Sequence, residues 1–277
     1  MKMKLSYKKL LFIVVMLLCI IPQTLVAQKQ KPKNLPLYDE KLYHFGFIVA
    51  LNNMSYAINY RPDYQKTLYM FSDHPNVSVQ PQETIDELVK DGDFDDSERM
   101  FYDRGLVSAP SYGFTVGIVG NLRLGRYFDL RLIPSLSFGA KNMTYDYHII
   151  WDEDFDNIRE YHKNSNILAT IMEFPLHIKY KSKRHDNIAA YIIGGGNPKL
   201  DFSFVFTSDK QRIQAKTFDF AAEIGAGFDY YTSHFKFGVE AKMSFGLINV
   251  LDKHNNQYDS SIDGLKNRMF QVSLTFE

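Results

Sequence analysis

Three groups of side chains in this sequence are of types that could do chemistry. The first is acidic: Asp91-Gly92-Asp93-Phe94-Asp95-Asp96, with Asp152, Asp154 and Asp156 further along. Carboxylates so closely spaced suggest a cation loop. An EF-hand loop needs Gly at its sixth position and Glu at its twelfth. Counted from Asp91, those positions hold Asp96 and Tyr102, so the match fails and a solvated acidic loop is the plainer account. The second group alternates along the chain: Glu173, His177 and Lys179, with Arg123, Arg131, Glu223, Lys236, Glu240 and Lys242 elsewhere. A carboxylate near a histidine can serve as a general base or pass a proton. The third group is the basic run Lys181, Lys183 and Arg184, followed by His185, which could steer an acidic partner. Gly194-Gly195-Gly196 is no phosphate loop, because the Lys-Ser/Thr that such loops need does not follow. No Ser, Cys or Thr sits in a strand-turn-helix elbow. His44 and His177 have no clustered partners in sequence. The sequence therefore predicts no catalytic residue, no cofactor, no metal site and no small-molecule substrate.

The elements that must position these groups show as alternation. Tyr43, Phe45, Phe47, Val49 and Leu51 share one face of a run, with His44, Gly46, Ala50 and Asn52 on the other. The same period of two recurs from Tyr112 to Leu124, Phe128 to Phe138, Leu168 to Tyr180, Ile188 to Phe206, Phe218 to Tyr230, Phe235 to Leu247 and Phe270 to Phe276. Strict alternation marks strands with one apolar and one polar face. The fifth run is interrupted by the three glycines and Pro198, which predict a bulge or kink. Most runs have about ten residues, the length a tilted strand needs to cross a bilayer. The pattern predicts an all-β fold, an eight-stranded antiparallel up-and-down transmembrane β-barrel with lipid outside and a polar interior.

The chain begins with a different signal. Lys2, Lys4, Lys8 and Lys9 precede an apolar stretch from Leu10 to Ile21, Pro22 breaks it, and Leu25-Val26-Ala27 reads as a cleavage site. Residues 1–27 are thus predicted to be a secretory signal peptide. Cys19 follows the bulky Leu18, which argues against a lipoprotein cysteine. It is the single cysteine, so the mature chain has no disulfide. The 32 basic residues equal the 32 acidic ones, and no basic surplus points to nucleic acid.

Connection lengths alternate as well. Gly125 to Tyr127, Lys181 to Asn187 and Tyr231 to His234 are short, whereas Arg61 to Pro110, His148 to Ser165, Ser208 to Lys216 and Leu251 to Asn267 are longer. Short periplasmic turns and long extracellular loops are the rule for outer-membrane barrels. The expected organisation is a periplasmic N-terminal segment at 28–42 and a barrel at 43–277 with a long first extracellular loop at 61–110. Both termini then face the periplasm. Thr84 to Lys90 is a candidate short helix in that loop. An eight-stranded bore is just wide enough for side chains to fill. Arg123, Arg131, Glu173, His177, Lys179, Glu223, Glu240 and Lys242 are therefore expected to form an interior ion-pair network, since buried charges must pair. Charge on the outward face is expected to disrupt insertion, with inward changes milder.

Three stretches resemble a known family. They are FDLRLIPSLSFGAKNMTYDY (Phe128 to Tyr147), EFPLHIKYKSKRHDNIAAYIIGG (Glu173 to Gly195) and SLTFE (Ser273 to Glu277). Together they resemble the PorT family, also called SprT, of the type IX secretion system in Bacteroidetes. The Glu-x-Pro-x-x-x-Lys-Tyr core at Glu173, Pro175, Lys179 and Tyr180 is shared with the wider group of small outer-membrane barrels. The resemblance implies an outer-membrane protein needed for export of cargo that carries a C-terminal sorting domain. It implies other components of that machinery as protein partners, beside membrane lipid, and no enzymatic activity. Two other readings stay open: a generic small barrel with an adhesive or ligand-binding loop crown, and an outer-membrane enzyme.

Overall fold

The computed structural model describes residues 33–62, 68–70, 100–150, 158–203, 213–253 and 261–277. The signal segment, the acidic run from Asp91 to Asp96, the candidate helix at Thr84 to Lys90, and Asp152, Asp154 and Asp156 lie outside the described residues. After a single 3-10 turn at Tyr38–Glu40 the described chain is all strand. The strands are β1 (Tyr43–Tyr60), β2 (Leu68–Met70), β3 (Met100–Arg123), β4 (Phe128–Leu132), β5 (Ser135–Ile150), β6 (Ile158–Glu173) and β7 (Leu176–Lys181). There follow β8 (Ile188–Asp201), β9 (Gln214–Ala215), β10 (Phe218–Tyr231), β11 (Lys236–Gly246), β12 (Leu251–Asp252) and β13 (Ile262–Phe276).

Eight staves close into a ring, with β4 and β5 forming one stave and β6 and β7 another. Each stave pairs antiparallel with its neighbours in sequence. Closure is carried by β1, where Phe47 lies opposite Phe276 of β13 on one edge and Ile118 of β3 on the other. A closed ladder leaves no edge strand for lipid to strip of partners.

The alternation read from sequence sets which way each side chain points. Tyr43, Phe45, Phe47, Val49 and Leu51 of β1 face out, as do Ile188 and Ile192 of β8 and Ile224 and Phe228 of β10. On the β6/β7 stave the outward apolar residues run from Leu168 to Tyr180. At about 3.3 Å per residue and a tilt of about 45°, that stretch rises roughly 28 Å, close to a bilayer's hydrocarbon thickness. Aromatic rings gather at the short-turn end, where Tyr43, Phe128, Tyr180, Tyr230 and Phe235 all face outward.

Three features differ from the sequence expectation. First, β3 begins at Met100, not after Pro110, because Met100 to Pro110 pairs with Ile150 to Lys141 of β5. A register shift between Pro110 and Phe114 re-phases the strand, which hid its upper half from a strict period of two. The β3–β5–β6 wall thus continues beyond the apolar band. Second, β8 holds its register against β10 from Ile188↔Tyr230 to Leu200↔Phe218, with no bulge at the glycines. The glycines serve close approach. A Cβ on Gly195 would lie 2.0 Å from the Leu176 carbonyl oxygen, and one on Gly196 would lie 2.8 Å from the Phe220 ring. Pro198 is tolerated because the neighbouring stave breaks beside it at Phe174-Pro175. Its carbonyl still accepts from the Phe174 N–H at 3.1 Å. The Pro175 carbonyl accepts likewise from Ile133, and that of Pro134 from Ile118.

Third, the interior is not polar throughout. At the long-loop end Tyr56, Leu106, Met143, Tyr145, Ile167, Ile262 and Leu265 turn inward and pack around Ile213, Val250 and Leu251. Ile213 lies beside β9, and Val250 and Leu251 lead into β12. The two short strands pair with each other, Leu251 opposite Ala215, so the described ends of two connections meet in an apolar plug.

An inward change carries a cost of its own, expected to be smaller than that of charge on the outward face. Thr115 is buried and shares hydrogen bonds with Asn52 at 2.8 Å and Ser137 at 2.7 Å. We expect Thr115→Asn to cost about 1–3 kcal/mol by overpacking. Met243→Arg, outward near the middle of β11, should cost about 2–4 kcal/mol. Urea-unfolding midpoints of the barrel refolded into phosphatidylcholine vesicles, read by heat-modifiable gel mobility, measure both. A wild-type midpoint for Met243→Arg would show that the face assignment is wrong.

Candidate functional site

The polar residues singled out by alternation converge in the bore because every second residue of each stave points there. Arg131, from β4, donates through Nη1 to Glu240 Oε2 of β11 at 2.7 Å, and Nη2 lies 3.6 Å from Glu277 Oε1. The Tyr191 hydroxyl donates to the same Glu240 oxygen at 3.0 Å. Towards the short-turn end, Lys179 donates to Asp229 at 2.7 Å, its ammonium 3.6 Å from the Tyr191 ring centroid. Lys236 pairs with Glu277 at 2.9 Å.

Above this lies a second cluster. Glu223 Oε2 accepts from His177 Nε2 at 2.8 Å and from Lys242 at 2.9 Å. Asn197 bridges Glu223 and Glu173, donating to each at 2.7 Å. Lys199 pairs with Glu173 at 3.2 Å and donates to Ser244 at 2.9 Å, and Ser137 donates to Glu173. A third cluster underlies the apolar plug: Lys141 donates to Asp201 at 2.6 Å, to Asn267 at 2.9 Å and to Tyr56 at 3.1 Å.

Of the predicted interior residues, Arg131, Glu173, His177, Lys179, Glu223, Glu240 and Lys242 are all buried in this network. Arg123 stands apart. It is half-buried at the short-turn rim, and its Nε donates to the Gly125 carbonyl at 3.1 Å. The general-base reading of Glu223 and His177 meets a geometric obstacle. Both side chains are fully buried, each hydrogen-bonded to the other at 2.8 Å. Among the described residues, no three His, Cys, Asp or Glu side chains are grouped to hold a metal ion.

The three basic residues of the β7–β8 turn are not the equivalent free charges that the sequence suggests. Lys181 turns inward and pairs with Asp129 at 3.1 Å, its side chain 12 % exposed. Arg184 is tied to the segment before β1. It donates to the Asn34 carbonyl and to Asn187 Oδ1, stacks 3.8 Å from the Tyr231 ring centroid, and is 8 % exposed. Lys183 alone is exposed. The reason is parity: Lys181 ends the inward face of β7, and the turn folds Arg184 back under the mouth.

That segment closes the short-turn end. Asn34 Nδ2 donates to the Tyr231 carbonyl at 3.0 Å, and the Tyr231 hydroxyl donates to Asp39 at 2.9 Å. Tyr38 stacks on His44 at 4.0 Å between centroids, and His44 Nε2 donates to the Tyr38 carbonyl at 2.8 Å. Burial pushes the Tyr38 hydroxyl pKa up and keeps it protonated.

Comparison with known proteins agrees with this architecture. A family model described as an outer membrane protein beta-barrel domain matches residues 89–252, more than half of the chain. The chain belongs to the outer membrane protein beta-barrel domain family. Membership accounts for the outward apolar band as a lipid-facing surface and places the protein in the outer membrane. A solved structure, the outer membrane protease OmpT from Escherichia coli, is similar over 85 % of this chain and 94 % of its own. The identity is 13 % and the TM-score 0.30. No curated protein matches in sequence.

Within this family barrel the network is larger than the sequence pattern suggested. Lys141, Lys199, Asn197, Tyr191 and Glu277 are further members of it. Parity could have found Lys141 and Glu277, since Arg131, Ser135, Ser137, Gly139 and Lys141 fall on one face of their run, as do Gln271, Ser273, Thr275 and Glu277. Tyr191 is buried on the inward face of β8, and an aromatic ring at such a position gives the alternation no polar signal.

Breaking one bore pair should cost more than removing it whole. Glu240→Ala leaves the Arg131 guanidinium with Glu277 at 3.6 Å as its nearest carboxylate, and should destabilise by about 3–5 kcal/mol. Arg131→Met combined with Glu240→Leu should recover most of that loss, measured as a double-mutant cycle of unfolding free energies. Strict additivity of the single changes would contradict the pairing.

Proposed function

We propose that this barrel is a non-enzymatic outer-membrane component of the type IX protein secretion machinery, of the PorT kind, needed to export cargo proteins. What carries the reading is where the PorT-like residues fall. Arg131 of the LRLIP stretch, Lys179 of the EFPLHIKY stretch and Glu277 of SLTFE belong to one bore cluster with Glu240, Asp229 and Lys236, and Glu173 belongs to the cluster above it with Lys199 and Glu223. Pro134 and Pro175 of the same stretches break two neighbouring staves side by side. Arg131 and Pro134 of the LRLIP stretch are what favour the PorT kind, whereas Glu173, Pro175 and Lys179 are shared with the wider group of small outer-membrane barrels.

A non-enzymatic role is supported by the burial of the acids and of His177 between the plug and the N-terminal segment. Short turns at one end and long connections at the other support the orientation proposed, with both termini in the periplasm. Protein partners in this reading are other components of the machinery, met from the periplasmic side.

Deletion of the gene tests the proposal. Cargo bearing a C-terminal sorting domain should remain in the periplasm, and the wild-type gene should restore its release. Normal cargo release in the deletion strain would favour a generic barrel with a loop-borne role. A second test concerns the bore. It is filled by its own side chains, as expected at this strand number. The purified barrel should give no stable large currents in planar bilayers; such currents would show that it is itself a channel.

A further inference from the structure

At the short-turn end a cleft of about 340 Å³ opens between the N-terminal segment and two turns. Its lining includes Lys33, Arg123, Arg126, Lys181, Lys183 and Arg184, against two carboxylates, Asp39 and Glu40. Apart from Arg123, half-buried and bonded to the Gly125 carbonyl, the cations fall into two sets. Lys181 and Arg184 form the floor, held by Asp129 and by Asn34 and Asn187. Arg126, Lys183 and Lys33 are exposed, and none has an acidic partner among the described residues. These three cations share one concave space in which basic side chains outnumber the two carboxylates, and a ligand with negative charge relieves their repulsion.

The position of the cleft says which anion. Tyr127, from the β3–β4 turn, lines it. The same ring lies 6.4 Å from the ring of Tyr180, which faces outward beside Phe128. The guanidinium of Arg126 lies 5.5 Å from the Tyr127 ring centroid. The cleft therefore joins the outward aromatic girdle, and such girdles sit at the level of the lipid headgroups. A lipid whose chains lie on the apolar face of β4 and β7 has its headgroup at the rim that Arg126 and Tyr127 form.

We propose that this cleft binds the headgroup of an anionic phospholipid in the leaflet at the short-turn end, with Arg126 and Lys183 as its phosphate ligands. Arginine presents paired donors that suit a phosphate diester, and the ammonium adds a point charge. The proposal is independent of the secretion reading and holds for the barrel whatever its role. The cleft wall includes Asp39 and Pro36, so the bound headgroup also braces the segment that closes the mouth.

The test uses the purified full-length mature barrel in detergent. It is incubated with phosphatidylglycerol or phosphatidylcholine of the same acyl chains, and retained lipid is counted by native mass spectrometry. The wild type should retain one phosphatidylglycerol in preference to phosphatidylcholine. Arg126→Glu/Lys183→Glu changes two exposed residues outside the bore, and heat-modifiable mobility checks that it stays folded. It should lower the preference roughly tenfold. Lys253→Glu, at the far end of the barrel, should leave it unchanged. Equal retention of the two lipids by the wild type, or a preference that survives the double reversal, overturns the proposal. Saturable binding of a soluble poly-glutamate peptide by the wild type without phosphatidylglycerol preference also overturns it, and makes the cleft a protein docking site.

Discussion

The constraint on which this structure depends is that hydrocarbon offers nothing to a backbone N–H or C=O. Every such group in the membrane must be paired within the protein. An antiparallel sheet meets this condition only if it closes, and here β1 closes it by pairing with β3 and β13 at once. Closure at eight staves then fixes the bore, which at this strand number has room for side chains and little else. Whatever the inward positions carry must fill that space and satisfy itself there.

This explains why charge inside the barrel is organised as clusters. An unpaired ion there would cost several kcal/mol, a large share of a typical net stability. Glu223 is shared by His177, Lys242 and Asn197, and Lys141 by Asp201, Asn267 and Tyr56. Each cluster draws members from staves far apart in the sequence. Their geometry ties those staves to one register, because a one-residue slip would turn every inward charge towards lipid.

The two mouths are closed by different physics. At the long-loop end the inward residues become apolar and bury Ile213, Val250 and Leu251, so the loops hold by exclusion of water. At the short-turn end the segment before β1 is held by hydrogen bonds and ring stacking, through Asn34, Tyr38 and Asp39. The first kind of closure resists salt and pH. The second depends on groups that compete with water, and it sits beside a cluster of exposed cations.

The sequence by itself determined the local facts. A period of two in each run decides which side chains face lipid, since successive residues of a strand point to opposite faces whatever surrounds them. It determined the number of staves, the alternation of short and long connections, and the inward set from Arg131 to Lys242. What it lacked was anything that depends on which strands are neighbours. That Arg131 meets Glu240 and Glu277, that Gly195 lets β7 approach, and that Lys181 and Arg184 are held while Lys183 is free are consequences of closure. The upper half of β3 escaped because a register shift breaks the period there. The plug escaped because loop residues carry no periodic signal, and only the tertiary structure brings Ile213 and Leu251 together over an apolar mouth. Facing is a property of one strand and is written in its residues. Partnership is a property of the closed ring and appears only when the ring has formed.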